Sequence, residues 1–424
     1  MTDDTDRMKA TLLTIGDELL IGQVVNTNAA WLGEQLNLLG IEVERAVTLG
    51  DDEGAIRQAL EQAYAASDLV VITGGLGPTP DDITREVVAG YFGVPLRVDP
   101  AVLEKIRERF RRRGRTMPAI NERVALVPEG FEPLANSAGS APGLWRVDAV
   151  HGKARIVVMV PGVPREMKAL YHEAIVPRLR AHTKRRVIRH RTLLTVGIGE
   201  SNLQERIGDL SGYLGPELRL ASLPGAGSVR LRLTATGTDR AAVEAGLERL
   251  EAHLRMRIGP YLYGTDDDTL EAVLGQMLAE RGLTVAVAES CTGGLILHRL
   301  TNTSGSSAYV VGGVVAYANE VKRDALGVEE QALAQHGAVS EVVARQMAQG
   351  VRMRLGADVG LSTTGVAGPS GGTPEKPVGT VWIGYADAHG NFAQLNRFGT
   401  DRAMNKTRSA LAALDLARWQ LLGL

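Results

Sequence analysis

Thr284-Val-Ala-Val-Ala-Glu-Ser-Cys-Thr-Gly-Gly-Leu-Ile-Leu-His-Arg-Leu300 joins a valine-rich run to a helical one through a turn that sets a hydroxyl beside a thiol. The alternation over Thr284 to Ala288 predicts a buried strand, and Gly293-Gly294 followed by apolar residues predicts a helix start. The turn therefore sits at a strand-to-helix junction, and the N–H groups of a helix start can hold a phosphate or an oxyanion. Ser290 and Cys291 are both candidate nucleophiles. Cys291 is the single cysteine, so it forms no internal disulfide, and its structural alternative is a small buried apolar residue.

Working outward, Gly312-Gly-Val-Val-Ala-Tyr-Ala-Asn-Glu-Val-Lys-Arg323 predicts a strand ending at Tyr317 and a helix from near Asn319, with Tyr317 and Lys322 at one sheet edge. A lysine serves as base for a serine only where burial or a nearby cation lowers its pKa. A tyrosine hydroxyl could relay the proton or hold the leaving group. The loop Thr363-Thr-Gly-Val-Ala-Gly-Pro-Ser-Gly-Gly372 again follows an apolar strand and could cradle a phosphate, for which Arg402 offers a bidentate partner. Singly, each has a bland reading: Ser290 a helix cap, Tyr317 a strand-end aromatic, Lys322 a surface charge, Arg402 an ion-pair partner. Together they form a set of the kind a catalytic site needs.

The same strand-to-helix grammar fills the first third, with strands at Ala10 to Ile15, Val43 to Leu49 and Leu69 to Thr73 and helices at Asn28 to Leu39 and Glu53 to Ala66. This βαβαβ order implies a parallel sheet covered on both faces. Two polar loops follow its strands, Thr14-Ile-Gly-Asp-Glu-Leu-Leu20 and Thr73-Gly-Gly-Leu-Gly-Pro-Thr-Pro-Asp-Asp-Ile-Thr-Arg-Glu86, where ligands of open parallel sheets bind. Gly74, Gly75 and Gly77 would let backbone N–H groups approach a phosphate, and Asp81 and Asp82 could hold a divalent ion against it. The alternative is a tight turn followed by a capped helix. Between about Arg180 and Gly264 a small α+β unit is expected, with a hairpin turning at Ala226-Gly227.

The bulk numbers fit this organisation. A length of 424 residues with 44% hydrophobic content supports two or three well-buried domains. The 47 Lys and Arg nearly balance 49 Asp and Glu, which argues against a surface built throughout for nucleic acid. Basic runs at Arg107 to Arg115 and Lys184 to Arg191 are read as solvated faces, or as local nucleic-acid contacts. Met1 to Arg7 lacks the apolar core of a signal peptide, no segment reaches 18 uncharged apolar residues, and cysteine is scarce, so a cytoplasmic protein is expected.

The motifs Ala288-Glu-Ser-Cys-Thr-Gly-Gly294, Tyr317-Ala-Asn-Glu-Val-Lys322, His336-Gly-Ala-Val-Ser340, Gly365-Val-Ala-Gly-Pro369 and Lys376-Pro-Val-Gly-Thr380 resemble the CinA C-terminal domain. Gly16-Asp17-Glu18, Gly74 to Thr79 with Asp81-Asp82, and Pro161-Gly162-Val163-Pro164 resemble the molybdopterin-binding fold, and Leu76 with Pro78-Thr79-Pro80-Asp81-Asp82 looks like its CinA subgroup. The resemblance implies two three-layer α/β domains with mostly parallel sheets, joined by a small α+β KH-like domain. The expected boundaries are 1–172, 173–262 and 263–424.

For the C-terminal domain the resemblance implies a nicotinamide-nucleotide amidase without a cofactor. Ser290 would attack, Lys322 and Tyr317 would manage the proton, and helix-start N–H groups would stabilise the oxyanion. Thr292, Gly293, Gly294, Asn319, Gly365, Ala367, Gly368 and Arg402 would surround nicotinamide mononucleotide. Thr400 stands where the family has glycine before the Asp-Arg pair. For the N-terminal domain it implies ADP-ribose pyrophosphatase activity, with Gly74, Gly75, Gly77 and Thr79 at the substrate. Glu18, Asp81 and Asp82 would bind a divalent metal, with or without a monovalent cation. A homodimer without membrane attachment is expected. KH modules read single strands through a helix-flanked GxxG loop, and Gly212-Tyr-Leu-Gly215 leads into Pro216 and a strand instead. A competence- or repair-associated binding protein and a molybdopterin-binding protein are the competing readings.

Overall fold

The apolar runs of the first third form the expected strands, and their burial explains why. In the computed structural model, which describes residues 8–150, 153–183 and 187–424, Leu69–Thr73 is buried along its whole length. It lies inside a six-stranded sheet. The strands of this unit are β1 (Lys9–Ile15), β2 (Glu42–Leu49), β3 (Leu69–Thr73), β4 (Leu96–Val98), β5 (Leu126–Pro128), β6 (Glu132–Leu134), β7 (Gly143–Val150) and β8 (Lys153–Val160). The large sheet runs β2-β1-β3-β8-β7-β6, with β4 and β5 pairing separately. The pairings β1·β2, β1·β3 and β3·β8 are parallel, and β7·β8 and β6·β7 are antiparallel. One core, holding Leu13, Ile72 and Val157, and another, holding Leu12, Val71 and Val158, lie on opposite faces, as residue alternation along a strand requires. Helices Thr27–Leu38 and Glu53–Ala66 bury Leu32 and Leu36, and Ile56 and Leu60.

The chain divides into two compact units, Met1–Arg189 with Thr236–Val243, and His190–Ala235 with Glu244–Leu424. Most of the middle segment thus shares a unit with the C-terminal domain. That segment contains β9 (Val187–Val196), β10 (Leu218–Pro224), β11 (Ser228–Gly237) and β12 (Leu262–Thr265), in sheet order β10-β11-β9-β12. With helices Glu200–Ile207 and Arg240–Ile258, the order is βαββαβ. The expected hairpin turns through Gly225 to Gly227, where Gly225 N–H donates to the Ser228 carbonyl at 2.8 Å. Gly212-Tyr-Leu-Gly215 forms a turn before β10 and has no helix after it. Arg418, 3% exposed, pairs with Asp415 and donates to the Pro260 carbonyl, tying the C-terminal helix to this segment. Met1 to Arg7 and, within the second basic run, Lys184 to Arg186 lie outside the described residues.

The C-terminal sheet contains β13 (Val285–Glu289), β14 (Val310–Val315), β15 (Val359–Gly365), β16 (Thr380–Ala386) and β17 (Asn391–Arg397), ordered β14-β13-β15-β16-β17. The strands β14, β13 and β15 pair in parallel, and β16 and β17 are added antiparallel at one edge. Helix Glu341–Leu355 lies close on one face because glycine lets it. A β-carbon on Gly360 would fall 2.1 Å from the Ala348 carbonyl oxygen, and one on Gly384 2.4 Å from that of Ala344. Among the described residues no helix is long and apolar enough to cross a membrane.

Gly360→Ala forces helix and sheet apart and is expected to cost about 1–3 kcal/mol, as overpacking does. Thermal denaturation would register this as a Tm lowered by several degrees; an unchanged Tm would show that the contact yields without cost.

Candidate active sites

Three parallel strands of the C-terminal sheet deliver their carboxyl ends together, since Glu289 pairs with Val315 on one side and with Thr363 on the other. Ser290 follows the central strand, with its N–H donating to the Thr363 carbonyl at 2.9 Å. Lys322, on helix Asn319–Leu326, points back beneath the end of β14 and is 1% exposed. Its Nζ lies 3.1 Å from Ser290 Oγ, 2.8 Å from the Ala316 carbonyl oxygen and 3.1 Å from that of Tyr317. Burial pushes the Lys322 ammonium below its ordinary pKa, because the charged form loses water that two carbonyls only partly replace.

Cys291 is 6% exposed, and burial raises its thiol to about 11. The thiolate is the nucleophilic form, so Cys291 is inert near neutral pH and behaves as a packed apolar residue in the core with Val287 and Ile296. Burial thus disfavours Cys291 as a nucleophile and leaves Ser290 as the candidate of the pair.

Several expected residues are placed differently from their assigned roles. The Tyr317 hydroxyl does not meet Lys322. The side chain is 62% exposed, and its oxygen accepts from Arg402 Nη2 at 3.1 Å. Arg402 Nη1 donates to the Gly368 carbonyl at 2.7 Å, so the guanidinium ties Tyr317 to the Gly365 to Gly368 loop with two of its five N–H donors. Asn405, 1% exposed, ties the same loop through the Ala367 and Gly399 carbonyls. Thr400 does not disturb the following helix, where Asp401 accepts from the Met404 N–H at 2.7 Å. The Thr292 side chain is fully buried against Thr363, at 2.7 Å between hydroxyls, so only its backbone can serve a ligand. Asn319 is exposed at the start of its helix.

The oxyanion donors also need correction. The N–H groups of Gly294, Ile296 and Leu297 all donate to the Glu289 carboxylate, at 2.8, 3.1 and 2.9 Å, and Gly293 N–H goes to the Ser290 carbonyl. The amides of Cys291 and Thr292 are the ones in this turn that neither acceptor takes. Glu289, fully buried, stood inside the quoted signature. A carboxylate at the end of an otherwise apolar strand, just before a helix start, is the signal that would have found it.

In the first unit, β1, β3 and β8 end at a cavity of about 490 Å³ lined by Gly16, Glu18, Gly74 to Pro78, Asp81, Asp82 and the Pro161 to Val163 turn. The glycine loop is held from behind. Buried Arg85 donates to the Leu76 and Gly77 carbonyls at 2.7 and 2.8 Å, and Arg123 to that of Thr79 at 2.9 Å. A β-carbon on Gly74 would fall 2.1 Å from the Ile15 carbonyl oxygen, so only glycine fits there. Thr79 faces Asp82 rather than a ligand: its N–H and hydroxyl both donate to that carboxylate, as does Gly77 N–H at 2.7 Å.

Asp82 therefore closes the loop with its carboxylate. Asp51, which the sequence reading missed, lines the same cavity; burial and the nearby carboxylates of Asp17, Glu18 and Asp81 raise its pKa. Among the described residues no three His, Cys, Asp or Glu side chains form a ready metal cage. Glu18, Asp51 and Asp81 nonetheless offer hard oxygen donors whose mutual repulsion a divalent cation would relieve, which suits an ion completed by substrate phosphates. Ser140 and Glu166 also line the cavity, and Glu166 is oriented by Asn136 Nδ2 at 2.7 Å. The run Asn136-Ser-Ala-Gly-Ser-Ala-Pro-Gly143 was the available signal.

Comparison with known sequences follows the same divisions. The CinA C-terminal domain matches residues 267–421, the damage-inducible protein CinA KH domain 190–264, and the probable molybdopterin binding domain 11–181. A CinA-like protein of Salinibacter ruber is 55% identical, covering 97% of this chain and 99% of that protein. A putative competence-damage inducible protein of Symbiobacterium thermophilum is 44% identical over 98% and 99%. A crystal structure of the protein CinA with unknown function from Thermoplasma acidophilum is 39% identical, covering 40% of this chain and 98% of that one at a TM-score of 0.37.

Two outcomes follow from the geometry alone. Native protein at pH 8 should resist alkylation of Cys291 by iodoacetamide and react fully once denatured, as mass spectrometry would show; rapid native labelling would refute the buried-thiol assignment. Asp82→Ala should lower Tm, since the loop loses its bonds from Gly77 and Thr79 to a carboxylate, with a net cost of about 1–3 kcal/mol in all. Asp81→Ala should leave Tm nearly unchanged.

Proposed function

The chain belongs to the CinA family, and from that premise we propose that its C-terminal site hydrolyses the carboxamide of nicotinamide mononucleotide, giving nicotinic acid mononucleotide and ammonia. The observation that carries this reading is the approach of a desolvated lysine to a strand-end serine, 3.1 Å between Nζ and Oγ. A neutral amine has two N–H bonds and one lone pair. The Ala316 and Tyr317 carbonyls take the two N–H bonds, which leaves the lone pair for the Ser290 hydroxyl.

Ser290 Oγ then bonds to the carboxamide carbon while its proton passes to Lys322 Nζ. The free amides of the turn, Cys291 and Thr292, are the donors left to meet the developing oxyanion. As the tetrahedral adduct collapses, the C–N bond breaks and the leaving nitrogen takes the proton from Lys322, departing as ammonia. Water attacks the resulting ester, gives a proton to Lys322, and the proton returns to Ser290 Oγ as the acid leaves. No cofactor is needed for that balance. The Tyr317 hydroxyl serves the substrate side with Arg402, while its main-chain carbonyl orients the base.

In the first unit the same premise supports hydrolysis of the ADP-ribose pyrophosphate. The Gly74 to Gly77 backbone, fixed by Arg85, would face the phosphates, and Glu18, Asp51 and Asp81 would hold a divalent ion. Such an ion, when bound, neutralises phosphate charge and activates water. Ser140 and Glu166 complete the wall against which the substrate is oriented.

Ammonia release from nicotinamide mononucleotide tests the first activity. Ser290→Ala should lose about 10³-fold or more in kcat, Lys322→Met comparably, and Cys291→Ala only a few-fold at most; release no greater than in the Ser290→Ala control would end the amidase reading. Lys322 must be neutral to accept a proton, so kcat/KM should rise with pH and reach its plateau through a midpoint below the ordinary 10.5. AMP formation from ADP-ribose with Mg²⁺ or Mn²⁺ tests the second activity. Asp81→Ala and Asp51→Ala should each reduce it at least tenfold, and full rates in both would remove the carboxylate assignment.

A further inference from the structure

Two of the five N–H donors of Arg402 are taken by the protein, so the anionic end of a nucleotide substrate would gain from a second cation beside it. Both arms of that guanidinium already meet protein oxygens, the Gly368 carbonyl and the Tyr317 hydroxyl. One helical turn further along the same helix, Arg402–Leu422, stands Lys406. Residues four apart on a helix share a face, so Lys406 rises on the side from which Arg402 reaches the loop. A β-carbon placed on Gly293 would lie 3.6 Å from Lys406 Nζ. The ammonium therefore hangs over the turn that begins at Ser290, whose carbonyl accepts the Gly293 N–H. Among the described residues it makes no hydrogen bond or ion pair, in contrast with Lys322 and Lys376, whose ammonium groups are each taken up by backbone carbonyls. Lys406 is half-buried, so its charge is only partly solvated while remaining within reach of a ligand.

We propose that Lys406 binds the phosphate monoester of the substrate, beside Arg402, two of whose donors fix Tyr317 and the Gly368 loop. A compact ammonium with three rotatable donors suits a phosphate that must be gripped and released. Gly293, with φ 63, supplies the left-handed backbone of the turn that the ammonium faces. The proposal rests on the amidase reading only in naming the phosphate as part of a nicotinamide nucleotide.

The experiment separates the two. Binding of ribose 5-phosphate to the full-length protein, measured by calorimetry, reads the anion site without catalysis. Lys406→Ala should weaken it about 10- to 100-fold, the loss of a charge-assisted contact, and Lys406→Arg should restore most of it. Ammonia release should show a matching rise in KM for nicotinamide mononucleotide with little change in kcat. For nicotinamide riboside, which has the carboxamide but no phosphate, kcat/KM should stay within about twofold of wild type if the lost energy is uniform binding. Equal ribose 5-phosphate binding by wild type and Lys406→Ala, or no binding by wild type, overturns the assignment. So does an equal loss with both amide substrates, which marks a structural role. Absence of ammonia from either substrate, with Lys406-dependent ribose 5-phosphate binding intact, would instead sink the amidase reading and leave the anion site standing.

Discussion

A lysine side chain held 1% exposed beneath the end of a strand is the constraint on which the C-terminal site depends. Withdrawing an ammonium from water disfavours its charged form. The fold limits this penalty without removing it. Two main-chain carbonyls, Ala316 and Tyr317, lie where β14 has just ended and helix Asn319–Leu326 has not yet engaged them, so both are free to accept from Nζ. Neither carries a full negative charge. A carboxylate in either place would instead have favoured the charged form of Lys322. The junction supplies enough polarity to hold the amine in position and too little to offset the burial that lowers its affinity for a proton.

The serine depends on a second buried charge used in the opposite way. Glu289 is fully buried and fully engaged, its carboxylate receiving three backbone N–H groups of the turn and helix that follow Ser290. Charge-assisted bonds of this kind are worth about 1.5–3 kcal/mol each, so the carboxylate fixes the turn rather than taking part in it. The first unit uses the same device. Asp82 closes the glycine loop by accepting from Gly77 and Thr79, and Arg85 grips the loop's carbonyls from beneath. In both motifs one acidic residue builds the loop, which frees other groups to meet a ligand.

That division explains which parts were legible in the sequence. Strands such as Leu69 to Thr73, and the helix Glu53 to Ala66, followed from apolar periodicity because burial on a sheet or along a helix face repeats at fixed intervals. The hairpin β6–β7 was missed, since Glu132–Leu134 is only three residues long and carries a proline. The Ser290 and Lys322 pairing was legible because both residues sit at strand-to-helix junctions, which a parallel sheet brings to one edge. The roles of Asp82, Glu289, Tyr317 and Arg402 were not. Residue type announces a charge or a hydroxyl, but whether that group faces a ligand or its own backbone depends on loop conformation, and no periodicity encodes it.

Arg402 shows how such a distinction alters chemistry. A guanidinium presents donors in a fixed planar fork, which favours two acceptors at defined positions. Here those acceptors are a loop carbonyl and a phenol, so Arg402 couples the Gly368 loop to the exposed ring of Tyr317. The Tyr317 carbonyl in turn accepts from Lys322. A displacement of the loop would thus be felt at the base through one residue, with the side chain on one end and the main chain on the other. Tyr317 thus joins the Gly368 loop to Lys322, so its geometry matters to both.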